Sequence, residues 1–122
     1  MVEECDVLVG TLVDGVWLVS RQGQSTGSAA SVEADWAWAL DREETCGDVM
    51  GFWHTHPVGA GVWPSEHDSR TMHAWCSALG KPLLCLIAEG DEIGGQVFED
   101  DEAEGQPVSA IELLAPGQWR VQ

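Results

Sequence analysis

Positive charge is scarce in this sequence. Lys and Arg together number five against 21 Asp and Glu, a formal net charge of −16 over 122 residues, and Lys81 is the only lysine. A protein that tracks a phosphate backbone needs clustered cations, and an anionic membrane surface repels so acidic a chain. Nucleic acid and membrane surfaces are therefore not expected as partners. Long apolar runs are also missing, since none approaches the roughly 20 residues of a membrane-spanning helix. The opening Met1-Val2-Glu3-Glu4 is acidic, unlike the positively charged start of a secretory leader. Cys5, Cys46, Cys76 and Cys85 show none of the C-x-x-C spacing of a zinc knuckle or redox pair. They are expected as reduced thiols in a cytoplasm, with Cys76 and Cys85 packed in apolar stretches. Histidines and carboxylates remain as the candidate metal ligands.

What is present suits one globular domain over residues 1–122, with 44% hydrophobic residues to build a core. Val7–Val13 reads as a strand, Asp14-Gly15 as a hairpin turn and Val16–Val19 as the returning strand. Ser20–Ala30 reads as a loop. Ser31 is an N-cap candidate for a helix with Val32, Trp36, Ala39 and Leu40 on one face, stopping at Gly47. Val49–His56 has strand character, and Pro57–Pro64 is a Gly- and Pro-rich loop. Ser65 opens a second helix that places Met72, Trp75, Cys76 and Leu79 at helical spacing and ends at Gly80. Leu83–Ala88 reads as a central buried strand, Ile93–Phe98 as another, and Ala110–Val121 as one more. The acidic run Glu99–Glu102 is expected as a solvated loop, and the overall acidity as a solvating surface or one that steers basic partners. The order predicts an α/β (α+β) fold, a mixed β-sheet flanked by helices.

The chemistry is concentrated in His54-Thr55-His56-Pro57 and Ser65-Glu66-His67-Asp68. Residues two apart on a strand share a face, so His54 and His56 project together. Imidazole is a preferred zinc ligand, and a catalytic zinc takes three protein ligands and keeps an open position. Asp68, one turn inside the next helix, is the natural third ligand. Each piece also has a plain structural reading. Taken alone, the histidine pair reads more readily as two half-exposed side chains on a strand, and Ser65-x-x-Asp68 as a capping box. The two motifs lie close together and both face one loop, which favours the metal site. His67 and His73 do not share a helix face and read as surface residues, His67 being a minor substitute ligand. Other hydrolase classes fail: there is no H-E-x-x-H, no P-C-x-x-C and no G-x-S-x-G. The chain is also too short for a metal-dependent barrel.

Gly51-Phe52-Trp53-His54-Thr55-His56-Pro57 with Pro64-Ser65-Glu66-His67-Asp68 resembles the motif of the JAMM (MPN-plus) zinc metalloproteases, H-[S/T]-H-P, a spacer, then S-x-x-D. Glu3-Glu4-Cys5-Asp6-Val7-Leu8-Val9-Gly10 is similar to the upstream glutamate stretch of small prokaryotic members, which makes Glu3 the matching glutamate. The resemblance covers nearly the whole chain. Asp6 stands where small members usually have glycine, and the spacer Pro57–Pro64 is one residue longer than usual. Members generally carry a helix before the glutamate strand, so Glu3 is expected near a fraying terminus; Glu4 is the fallback, though strand alternation sends it to the opposite face.

The resemblance implies an MPN/JAMM fold similar to the cytidine deaminase-like architecture. It implies Zn2+ held by His54, His56 and Asp68, with the ion activating a water at neutral pH. Glu3 is then the general base and acid, and Ser65 the donor to the developing oxyanion. It further implies a peptidase or isopeptidase that releases ubiquitin-like or sulfur-carrier proteins from their targets, in the cytoplasm. Trp53 reads as core packing and Trp63 as a candidate grip on an extended substrate tail. Two other functions stay open: a non-catalytic MPN-type scaffold that binds a protein partner, and a peptidase acting on small peptide or cell-wall adducts.

Overall fold

Asp14 and Gly15 adopt φ of 52° and 78°, the left-handed pair that a two-residue hairpin turn requires. They join β1 (Cys5–Val13) to β2 (Val16–Gln22). The computed structural model describes residues 4–22, 25–27, 32–34, 36–99 and 104–122. Then follow β3 (Ser25–Gly27), β4 (Val32–Ala34), α1 (Trp36–Cys46), β5 (Val49–Thr55), α2 (Glu66–Leu79), β6 (Leu83–Glu89), β7 (Glu92–Phe98), β8 (Gln106–Pro107), β9 (Ile111–Ala115) and β10 (Gln118–Val121). The main sheet has eight strands in the order β8-β7-β6-β5-β1-β2-β10-β9, and β3 pairs with β4 apart from it. Among the described residues, β5 and β6 form the one parallel pair, bridged by α2. The architecture is therefore the expected mixed sheet with two helices. No helix among the described residues is long and apolar enough to cross a membrane.

Three expectations about element bounds need correction. β2 runs on to Gln22 because β1 starts as early as Cys5 and supplies Val7 and Leu8 as partners for Gln22 and Arg21. The segment expected as a loop from Ser20 therefore begins as strand, and it contains β3. Val32–Ala34 pairs with β3 instead of opening the helix, in keeping with the β-branched Val32. Helix α1 starts at Trp36, and Ser31 lies outside the described residues. Ala39 is fully buried, but Leu40 stays 50% exposed because Trp36 and Trp38 take the inward positions. Finally, the C-terminal stretch forms two strands, since the Pro116-Gly117 turn folds β10 back to pair with β2.

The sheet buries both faces. On the helix side Val7, Val9, Ile87 and Cys85 pack against Ala39, Met72 and Cys76. On the other side Leu8, Trp17, Trp53, Leu84, Leu86 and Trp119 form a second cluster. Val108 and Ile111 close over it: the Val108 N–H donates to the Gly95 carbonyl at 3.1 Å, and Ile111 crowds Gly95. β6 lies inside the sheet between β5 and β7, with Leu83–Ile87 fully buried and alternating between the clusters. None of the four cysteines is in a disulfide; three are buried and Cys46 is exposed.

One irregularity positions the site. The ladder between β1 and β5 pairs Leu8 with Gly51 but Val9 with Val49, so Met50 is an extra residue on β5. Such a bulge shifts the in-out alternation. Val49 and Phe52 consequently share the helix face, while Trp53 goes to the other. His54 follows Phe52 by two residues and so projects toward α2. At the same place the sheet strands close tightly, because a Cβ on Gly51 would lie 1.8 Å from the Leu84 carbonyl oxygen.

Candidate metal centre

His54 sits near the carboxyl end of β5, paired with Cys5 on one side and Ile87 on the other. His56 lies just past the strand, yet its N–H continues the parallel ladder by donating to the Ala88 carbonyl at 2.9 Å. This keeps the extended spacing that aims both rings the same way. The N-terminus of α2 meets them there. Ser65 caps the helix at φ −71° and ψ 170°, and the capping box with Asp68 is complete. The crevice beyond the carboxyl ends of parallel strands is where open α/β sheets place their ligands.

Three donor atoms converge. His54 Nε2 and His56 Nε2 are 3.1 Å apart, and Asp68 Oδ2 lies 3.3 Å from the first and 3.1 Å from the second. Zinc bonds to imidazole nitrogen and carboxylate oxygen are about 2.0–2.1 Å, so neighbouring ligand atoms around a tetrahedral ion are about 3.3 Å apart. The triangle is close to one face of such a tetrahedron. His56 Nδ1–H donates to the Gly61 carbonyl at 3.0 Å, which in a neutral ring leaves Nε2 as a lone pair. A lone pair facing a second imidazole and a carboxylate at this distance requires a shared proton or a cation between them. The three side chains are only 12–19% exposed. Donor type, spacing and burial fit a zinc ion.

Burial by itself would raise the Asp68 carboxyl pKa. The hydrogen bond and charge of His54 and the bonds from Ser65 outweigh it and hold the group well below the usual carboxylate range. Asp68 is thus ionised at neutral pH, as a ligand must be. Burial pushes the Cys85 thiol up, so this neighbour in the cleft wall stays protonated.

The triangle opens into a cleft of about 960 Å³ whose wall includes Trp36, Phe52, Trp63, Trp75 and Ser65. Trp36, Phe52 and Trp75 pack mutually with ring centroids 5.2 Å apart, Phe52 edge-on to both tryptophans. Trp63, on the loop, remains 62% exposed. Trp53 instead belongs to the opposite cluster and carries the Arg21 guanidinium 3.5 Å above its ring.

The structure brings His54, His56, Asp68 and Ser65 together. Glu3 lies outside the described residues. Its neighbour Glu4 is fixed beside the histidine pair: the Glu4 N–H donates to Thr55 Oγ1 at 2.8 Å, and the Thr55 N–H donates to the Glu4 carbonyl at 2.9 Å. The Glu4 carboxylate turns to Arg21, 3.7 Å away, the side away from the cleft, as strand alternation predicts. Arg21 also donates twice to Asp6, at 2.9 and 2.6 Å, which gives the residue standing in place of glycine a partner. His67 is exposed in the cleft wall and outside the three-residue cluster. His73 is a correction: it is half-buried, with its ring edge-on to Phe98 at 5.4 Å.

Sequence reasoning missed the carboxylate of Glu89, which accepts the N–H groups of Gly59 and Gly61. Its reach across the loop depends on how β6 and β5 are aligned, and no local pattern signals that.

Two comparisons with known proteins bear on this site. A family model described as prokaryotic homologs of the JAB domain matches residues 2–105. No curated protein matches the chain.

Proposed function

Because this chain belongs to the family of prokaryotic homologs of the JAB domain, a JAB/MPN-type family, we propose that it is a zinc-dependent peptidase or isopeptidase. The single observation that carries the reading is the triangle of His54 Nε2, His56 Nε2 and Asp68 Oδ2, spaced 3.1–3.3 Å. A bound zinc ion supplies Lewis acidity at neutral pH.

The chain's own groups supply the rest. Ser65 Oγ accepts the Asp68 N–H at 3.0 Å, so its hydroxyl hydrogen remains to be donated to a developing oxyanion in the cleft. Glu3 takes a proton from the attacking water and returns it to the leaving amine. The bonds between Glu4 and Thr55 support this assignment, because they tie the chain next to Glu3 to the histidine strand. The aromatic wall of the cleft offers apolar surface to a substrate, and Trp63 an exposed face for an extended tail.

The substrate proposed is the C-terminal tail of a ubiquitin-like or sulfur-carrier protein joined to a target, in the cytoplasm. A scaffold role is the weaker reading, since scaffolds dispense with metal ligands and this chain keeps His54, His56, Asp68 and Ser65. The test is cleavage of a panel of carrier–peptide fusions, carrier–amino acid adducts and cell-wall stem peptides by the zinc-loaded protein. Cleavage after the carrier C-terminus, abolished by Glu3→Gln with zinc retained, is the expected result. Cleavage of stem peptides alone would replace the substrate class. Cleavage undiminished in Glu3→Gln would remove Glu3 from its role.

A further inference from the structure

The loop that carries His56 into α2 is clamped by a residue outside the site. One carboxylate oxygen of Glu89 accepts the Gly59 N–H at 3.1 Å, and the other accepts the Gly61 N–H. The Gly61 carbonyl is the acceptor for His56 Nδ1–H. The residue before Glu89 matters as well, because the Ala88 carbonyl accepts the His56 backbone N–H. The end of β6 therefore holds the backbone of His56 directly and its ring through Gly61. Strand β7 seats the same loop from the other side. A Cβ on Gly94 would lie 2.5 Å from the Val62 carbonyl oxygen, so the loop lies flush against a gap that glycine leaves.

This clamp answers a physical need. Gly59 and Gly61 have φ of 92° and 82°, a region glycine reaches freely but leaves as freely. Left alone, such a loop samples many positions for the Gly61 carbonyl. Bonds from backbone N–H groups to an ionised carboxylate are stronger than neutral ones and narrow that choice.

We propose that Glu89 is a positioning residue for His56: by holding Gly59 and Gly61 it fixes the carbonyl that selects the Nδ1–H tautomer and aims Nε2 at the cation position. The proposal rests on the metal-centre reading above. It extends that reading to a carboxylate that bonds to Gly59 and Gly61 and stands behind the histidine.

The experiment compares wild type, Glu89→Ala and Glu89→Gln by two readouts. One is the ¹⁵N spectrum of the histidine side chains in metal-free protein, at a pH where the imidazoles are neutral. The other is zinc affinity by chelator competition. In Glu89→Ala the His56 shifts move toward a tautomer average, and zinc affinity falls about tenfold, the low end for partners behind a ligand. Glu89→Gln keeps one acceptor oxygen and falls between. If both variants retain the wild-type His56 shifts and zinc affinity, the proposal is overturned. If Glu89→Ala melts early without metal, the near-isosteric Gln variant decides by the same two criteria. A wild-type protein that takes up no zinc defeats the metal reading instead, and the metal-free His56 spectrum still tests the clamp.

Discussion

Ser65 and Asp68 hold each other across the first turn of α2: Ser65 Oγ accepts the Asp68 N–H at 3.0 Å, and Asp68 Oδ2 accepts the Ser65 N–H at 2.9 Å. The same Oδ2 faces both histidines. Helix cap and candidate metal centre thus share one oxygen atom. The cap orients the carboxylate before any ion arrives, and an arrangement fixed in advance loses less freedom on binding.

This sharing predicts that Asp68→Asn separates the two roles. The amide oxygen still accepts the Ser65 N–H, so the cap is kept and stability without metal should fall only through the lost charge, which the lowered carboxyl pKa of Asp68 marks as stabilising. The negative charge is gone, and zinc binding should fall by a factor of about 100 or more, at or beyond the upper end of the loss for a partner behind a ligand. Calorimetric zinc titration beside thermal melting checks this. Zinc affinity equal to wild type would remove Asp68 from the ligand set.

Ser65→Ala should cost about 1 kcal/mol of stability, the usual loss for an N-cap. If its hydroxyl also serves the oxyanion, kcat falls about 10²–10³-fold. Ser65→Asp separates the effects, because aspartate caps well but an ionised carboxylate donates no hydrogen bond. Stability should return in that variant while kcat stays low. Recovery of kcat with the cap would make Ser65 purely structural.

How much of this was legible beforehand depended on the range of the interaction. The H-x-H pair and the Ser65–Asp68 box are local patterns, and their meeting follows from a short loop. The burial of Leu83–Ile87 was legible as an unbroken apolar run, although Ala88 at its end is only half-buried. The bulge at Met50 was not, because strict alternation from Val49 puts Trp53 on the same face as Val49. The extra residue is set by pairing with β1, which starts some 40 positions earlier. β3 and β4 were hidden for a similar reason: each is three residues long and is strand only through the other. The role of Glu89 depends on a contact to Gly61 that is likewise non-local.

Gly51 carries a prediction about the scaffold of the site. Its Cβ position lies 1.8 Å from the Leu84 carbonyl oxygen and 2.8 Å from the Leu84 nitrogen, and backbone at a central sheet pairing cannot step aside. Gly51→Ala should therefore destabilise the fold by about 3 kcal/mol or more, at the severe end for single substitutions. Chemical denaturation measures it. A loss below about 1 kcal/mol would mean that β5 and β6 are spaced differently.

A pH prediction concerns Arg42 and Asp48, joined by two parallel hydrogen bonds of 2.8 and 2.7 Å. The bond from Arg42 holds the Asp48 carboxyl below its ordinary value. A carboxylate with a depressed folded-state pKa stabilises the fold above its unfolded pKa, near 4, and loses that contribution as pH falls through the folded value. Asp48→Asn should be less stable than wild type at pH 7, and the gap should close below about pH 4. Comparing the two proteins cancels the general relief of repulsion as the many other carboxylates protonate. A gap independent of pH from 7 to 2 would show that the pair adds nothing through its charge.

The most direct measurement is zinc per chain in the purified protein, beside the double variant His54→Ala/His56→Ala. The convergent donors predict about one zinc per wild-type chain, none in the variant, and a melting temperature that rises with zinc only in the wild type. Wild-type protein that stays zinc-free after reconstitution, with no zinc-dependent rise in melting temperature, would contradict the metal centre and the hydrolase built on it.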